Sequence, residues 1–347
     1  MLSTTVTEAR RLQFSLMERV EVRLNVLLQA ERARWGAVDH RGKVLVDAVA
    51  TLVRAGGKRL RPAFCVSGYL AAGGRLDDAT IVDTASGLEL VHVAALIHDD
   101  VLDAADSRRR VPTVHVRHTA EHEKRAWRGE ARRYGEGVAI LAGDLANVYA
   151  GRLTGALPPA ARRVWDELLT EISIGQYLDL AVAAESVIDP ELSRWIAVCK
   201  SGRYSIHRPL LLGAAIAGRE DLAPVFAEYG DALGEAFQLR DDMIDAFGHS
   251  QVAGKPVGHD LDQHKMTLLL AWAAQRDEGV RRLLGAPEWD TGRIRERLIT
   301  TRIGDQVEKH IDELVERARQ SISQAPMKEA WRAELTEMAM EVAYRDR

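Results

Sequence analysis

Cysteine is nearly missing from this chain, with two residues, Cys65 and Cys199, in 347. At most one bridge can form, which excludes a disulfide-built scaffold and points to a reducing compartment. An excess of one charge sign is lacking too. Lys and Arg total 47 against 51 Asp and Glu, a net charge of −4. Neither a basic field for nucleic acid nor an acidic tail is present, so nucleic acid is not expected as a partner. Long uncharged runs are absent. The longest stretch free of Asp, Glu, Lys and Arg is Pro62 to Gly74, short of the roughly 18 apolar residues that suggest a membrane span. No stable membrane anchor is expected. The N-terminus interleaves Glu8, Arg10, Arg11, Glu18 and Arg19 with apolar residues, as an amphipathic helix does and a signal peptide does not. The expected location is cytoplasmic.

Apolar residues at 46% and charged residues at 28% make a globular balance. Helical periodicity dominates. Leu12, Leu16, Val20, Leu24 and Leu27 recur at spacings of three and four within Val6–Arg34. Asp39–Arg54, Thr80–Asp103, Ala139–Gly155, Arg162–Ala184, Leu192–Gly218, Leu222–Phe247, Lys265–Arg276 and Arg293–Gln320 read the same way. Short alternating strands, fixed repeats and low-complexity tracts are scarce or missing. The expectation is all-α, one large helical domain over residues 1–347.

The informative segment is Leu96-Ile97-His98-Asp99-Asp100-Val101-Leu102-Asp103. Residues four apart lie on one helix face, so Asp99 and Asp103 project together with Asp100 on the flank. Three crowded carboxylates at the end of an apolar helix repel one another and lose solvation. A divalent cation offsets that cost, and hard oxygen donors point to magnesium shared with substrate phosphates. The spelling recurs at Asp241-Asp242-Met243-Ile244-Asp245. Two solvated helix ends are the plain alternative, but both clusters follow apolar runs that should be buried. Cations lie elsewhere, in Gly56-Gly57-Lys58-Arg59-Leu60-Arg61-Pro62, Arg108-Arg109-Arg110, Lys200-Ser201, Gly254-Lys255-Pro256 and Lys265-Met266-Thr267. The glycine pair does not have P-loop spacing, yet Lys58 and Arg61 suit a shared phosphate. An ordinary exposed basic turn is the competing reading of that segment. His115, His118, His122 and His207 read as surface or loop residues, and Trp195 and Trp272 as helix packing.

Taken together, these segments resemble the trans-isoprenyl diphosphate synthases, the polyprenyl synthetase family. The likeness also takes in Leu88-Glu89-Leu90-Val91-His92, Pro112-Thr113, Gly143-Asp144, Gly175-Gln176, Phe237-Gln238 and Asp260-Leu261. It implies a helical bundle around a central cavity, a homodimer, and magnesium, three ions per active site. Asp99, Asp103 and Asp241 would hold the metal on an allylic diphosphate, with Asp100, Asp242 and Asp245 as close supports or water-mediated ligands. Arg108, Lys200, Ser201, Gln238, Lys255 and Lys265 would bind that diphosphate. Lys58, Arg61, His92 and Arg109 would bind isopentenyl diphosphate. The sequence departs from the family pattern at Arg110 and His264, where Gly is common, and at Leu269, where Pro is frequent.

The implied reaction is ionisation of an allylic diphosphate (dimethylallyl, geranyl or farnesyl), attack by isopentenyl diphosphate, and proton loss in a dry cavity. Helix geometry puts Ala95 and Ala94 one turn deeper than Asp99, with Val91 and Leu88 as deeper floors. Bulky residues near here stop chain growth early in the family. The two alanines therefore point to products beyond fifteen carbons, geranylgeranyl diphosphate first, with farnesyl or longer polyprenyl products as alternatives. Phe at Ala94 or Ala95 should shorten the product, unless both merely pack against another helix. A terpene cyclase leaves Lys58, Arg61 and Arg109 unexplained. A non-catalytic subunit would be expected to lose acids from one motif. A di-iron bundle needs a second Glu-x-x-His beside Glu89 and His92.

Overall fold

The computed structural model describes residues 4–108, 111–248 and 258–345. These form two compact units that interleave in sequence. One comprises Leu12–Val66 and Arg75–Leu157; the other comprises Met1–Arg11, Ser67–Gly74 and Pro158–Arg347, as far as described. Among the described residues the only strands are the two-residue pair Ser107–Arg108 and Val111–Pro112. The protein is all-α, as the periodicity implies.

The first unit holds most of α1 (Thr4–Val38), α2 (Lys43–Arg54), the start of α3 (Leu60–Ala71), α4 (Ala79–Leu102), α5 (Val114–Lys124) and α6 (Ala131–Leu153). Leu16, Val20 and Leu24 of α1 are fully buried, as the i, i+4 spacing requires, with Ile81, Leu88, Leu90 and Ile97 of α4. Asp78 caps α4, its side chain accepting from Thr80 N–H at 2.7 Å. Helix α6 crosses α4 closely at Gly143, where a Cβ would lie 2.2 Å from His98 Nε2. By length and composition α4 could cross a membrane, with a mean hydropathy of 1.4 over its best window, although 72% of that window is buried inside the protein. An uncharged-run criterion passes over this helix because Asp83 and Glu89 interrupt it. Its burial marks it as a core helix.

The second unit holds α7 (Pro159–Glu185), α8 (Pro190–Ala197), a π-helical stretch (Val198–His207), α9 (Arg208–Ile216) and α10 (Ala223–Phe247). After them come α11 (His259–Asp262), α12 (Leu268–Arg276), α13 (Glu278–Leu284), α14 (Thr291–Thr300), α15 (Ile303–Ser323) and α16 (Glu329–Ala343). Trp165, Phe226, Tyr229, Ile311 and Leu335 form its centre. Tyr229 donates its hydroxyl to Leu335 O at 2.7 Å, tying α10 to α16.

Two helices expected to be continuous are not. Leu192–Gly218 passes through π geometry before Pro209, which lacks an N–H and would crowd the carbonyl four residues back. Arg293–Gln320 breaks at Arg302, which takes a left-handed φ of 54°. Two histidines expected at the surface are buried. His122 bonds Arg128 O at 3.1 Å beside Trp127, and His207 bonds Asp231 at 2.8 Å. Trp195, expected in helix packing, is 41% exposed, because the polar outer side of the short α8 carries it. Trp272 does pack, with Arg276 3.6 Å above its ring and His310 stacked at 5.8 Å.

Candidate functional site

The first acidic motif sits at the C-terminal end of α4, with Asp103 as the C-cap. Carboxylates are unfavourable there, because the helix dipole presents its negative end. Asp100 is buried, and burial pushes its carboxyl up to about 6 against the pull of Arg108. Arg108 donates to Asp100 Oδ1 at 2.5 Å and to Asp99 Oδ2 at 3.3 Å. The second oxygen of Asp100 is buried with no hydrogen-bond partner among the described residues. Asp99 stays accessible, its side chain 24% exposed.

The second motif occupies the last turns of α10 and repeats the arrangement. Asp241 is the accessible acid, its side chain 46% exposed. Asp242 is buried, and burial, with Asp260 and Asp241 nearby, pushes it up to about 8. It accepts from Gln238 Nε2 at 2.7 Å and from Leu269 N–H at 3.1 Å. Asp245 accepts from Asp260 N–H at 3.1 Å. So Asp242 and Asp245 brace the segment after α10, and Asp241 is the one left to meet a ligand.

Two family departures acquire physical meaning here. His264 adopts a left-handed φ of 54°, the geometry that favours glycine, with its ring 5.2 Å from that of Trp289. Leu269 supplies the N–H that holds Asp242, a bond proline could not make.

The cations are partly engaged. Lys200, in the π-helical stretch, donates to Asp179 at 2.7 Å, beside Gly175 of α7. Ser201 and Lys265 are half-buried, and Lys265 N–H bonds Asp260 O at 2.9 Å. In the first unit Lys58 is exposed, while Arg61 and His92 are half-buried. Arg109, Arg110 and Lys255 lie outside the described residues.

Sequence reasoning missed three participants. Arg345 contacts Asp241 and stacks over Phe237 at 4.2 Å. Nothing in its local sequence marks it. Asp179 follows Gln176 by three residues, on the turn that Gly175-Gln176 begins, which was the available signal. Arg59 lies inside the basic motif but bonds acids of its own unit.

Among the described residues no three His, Cys, Asp or Glu side chains are gathered as a ready metal site. The donors nonetheless suit a hard divalent ion. Each motif crowds carboxylates at a helix end of the wrong polarity; the first leaves Asp99 and Asp103 partly accessible and the second leaves Asp241. Magnesium is commonly held by one or two carboxylates plus substrate phosphates, not by an all-protein cage.

The polyprenyl synthetase family profile matches residues 42–296. The geranylfarnesyl diphosphate synthase of Aeropyrum pernix is 31% identical, over 86% of this chain and 92% of that protein. The geranylgeranyl diphosphate synthase of Methanosarcina mazei is 34% identical, over 68% and 69%. The crystal structure of a Corynebacterium glutamicum geranylgeranyl pyrophosphate synthase, complexed with isoprenyl diphosphate and magnesium, superposes with a TM-score of 0.87. It has 32% identity and covers 95% of this chain and 98% of the other. With the acidic motifs and basic segments in the family's order, the chain belongs to the polyprenyl synthetase family, the isoprenyl diphosphate synthases.

Proposed function

We propose that this trans-prenyltransferase extends an allylic diphosphate with isopentenyl diphosphate to geranylgeranyl diphosphate, using magnesium. Members of the family act on these substrates with a divalent metal. Magnesium would be held by Asp99, Asp103 and Asp241, with Asp100, Asp242 and Asp245 supporting them, and when bound would supply positive charge beside the leaving diphosphate. Arg108, Lys200, Ser201, Gln238, Lys255 and Lys265 bind the allylic diphosphate; Lys58, Arg61, His92 and Arg109 bind isopentenyl diphosphate. Arg108 and Lys200 pair with carboxylates of the protein. Turning to phosphate exchanges one anion for another, which is less costly than uncovering a bare charge.

Product length rests on one observation, the open face of α4. His92, Ala95, Leu96 and Asp99 are partly accessible, whereas Leu88, Val91, Ala94 and Ile97 are at most 4% exposed. Ala95 lies one turn below Asp99 on that accessible face, and its small side chain leaves room for a growing chain. Incubation with isopentenyl diphosphate, magnesium and each of three allylic diphosphates should yield mainly the twenty-carbon product by chromatography. Ala95→Phe should shift the product to fifteen carbons or fewer. Ala94→Phe should instead overpack the core, costing about 1–3 kcal/mol of stability. An unchanged product from Ala95→Phe would refute this wall.

The unit of function is a homodimer. Ile140, Leu141 and Val148 of α6, and Ile174 and Tyr177 of α7, are 47–66% exposed apolar side chains, suited to burial against a second copy. A single-chain mass by light scattering would overturn this reading.

A further inference from the structure

The basic motif contains a residue whose charge is already spent. Gly56, Gly57 and Arg59 carry φ of 77°, 151° and 47°, so the chain turns sharply before α3 begins at Leu60. Glycine adopts such angles freely; for arginine the left-handed region is strained, because Cβ crowds the backbone carbonyl. Strain of this kind persists only where surrounding contacts over-determine it. Those contacts are present. Arg59 Nε donates to Glu21 Oε1 of α1 at 2.6 Å, Nη1 donates to Glu89 of α4, and Nη2 donates to Val53 O in α2 at 2.7 Å. One guanidinium thereby ties the turn to three helices. Its side chain is 12% exposed, that of Glu89 3% and that of Glu21 40%. Lys58 on one side of it is exposed, and Arg61 follows on the first turn of α3.

We propose that Arg59 is a positioning residue of the isopentenyl diphosphate site: its bonds to Glu21 and Glu89 hold the Gly56–Arg59 turn in the form that presents Lys58 and Arg61 to the diphosphate. This rests on the assignment of Lys58 and Arg61 to that substrate. It treats the three cations of the motif as unequal. Two bind phosphate, and the middle one binds the protein. A guanidinium saturated by two carboxylates has little left to offer a ligand. A lysine in its place keeps the charge and loses the fork that reaches two acids on different helices.

The sign of one effect separates the two roles. Glu21 is the accessible partner, so Glu21→Gln leaves the fold intact while loosening the clamp. A positioning role predicts that Glu21→Gln raises the KM for isopentenyl diphosphate about three- to tenfold. The KM for the allylic substrate, kcat and Tm should stay near wild type. Arg59→Lys should act in the same direction. The double variant Glu21→Gln/Lys58→Ala should be less impaired than the product of the two single effects, because both act through Lys58. If Arg59 were itself a phosphate ligand, freeing it from Glu21 would lower that KM. A lowered or unchanged KM in Glu21→Gln, with Lys58→Ala impaired, overturns the proposal alone. An unimpaired Lys58→Ala overturns the assignment of the substrate site and the proposal with it.

Discussion

Asp99→Ala and Asp241→Ala should each cut turnover at least about a hundredfold while Tm stays within a few degrees of wild type. Both side chains are accessible, 24% and 46% exposed, so their removal opens no core. On the proposed assignment each variant would lose a hard oxygen ligand for the ion that offsets charge on the departing diphosphate, and electrostatic contributions of this kind are commonly worth 10²–10³ in rate. The neighbouring acids behave differently. Asp242 is buried and accepts from Gln238 and Leu269. Asp242→Ala strands the Leu269 N–H at the start of α12, costing about 1–3 kcal/mol in addition to activity. Turnover with purified protein and thermal melts on the same samples separate the classes. Near-normal turnover in both Asp99→Ala and Asp241→Ala would remove the metal assignment. A large Tm loss in either would mean that the accessible acids are structural after all.

The acidic motifs were legible because helix period converts a five-residue spelling into a shared face, and because carboxylates after an apolar run demand a counter-charge. The division of labour inside each motif was not legible. Asp99 and Asp241 are accessible while Asp100 and Asp242 are buried, a contrast set by which neighbours pack on each face. The long helices were legible from periodicity, but short ones such as α3, α5 and α13 and the break at Arg302 were not. The left-handed residue is an arginine and the nearby glycine is Gly304, two residues beyond it and inside α15, so the break is displaced from the residue that would announce it. The π stretch had a faint signal in Pro209, whose missing N–H must be absorbed upstream. Arg345 had none, since its role depends on where α16 ends, more than a hundred residues after Asp241.

Arg240→Ala should destabilise the protein by about 1–3 kcal/mol, the usual cost of leaving a buried hydrogen-bond partner, here the Ala343 carbonyl, without its donor. The residue stands directly before Asp241, yet its side chain turns inward and is 4% exposed. It donates to both oxygens of Glu308 in α15, at 2.5 and 2.8 Å, and to Ala343 O at the end of α16, at 2.7 Å. That carbonyl is one that a helix end leaves without an internal partner. Its loss loosens the turn that leads to Arg345, so Arg240→Ala should also release the Arg345 contact on Asp241. Without that competing guanidinium, binding of a metal probe such as manganese in the absence of substrate should tighten at temperatures where the variant is folded. Urea unfolding measures the first effect and probe binding the second. Arg240→Met with Glu308→Leu separates them. It removes both charges and fills the volume, so the share of the lost stability that comes from leaving Glu308 unpaired should return, while the Ala343 carbonyl still lacks its donor and the tighter probe binding should persist. A loss below about 1 kcal/mol in Arg240→Ala would show that Glu308 and Ala343 are satisfied without it. The acidic motif would then be anchored by the burial of Asp242 and Asp245 alone.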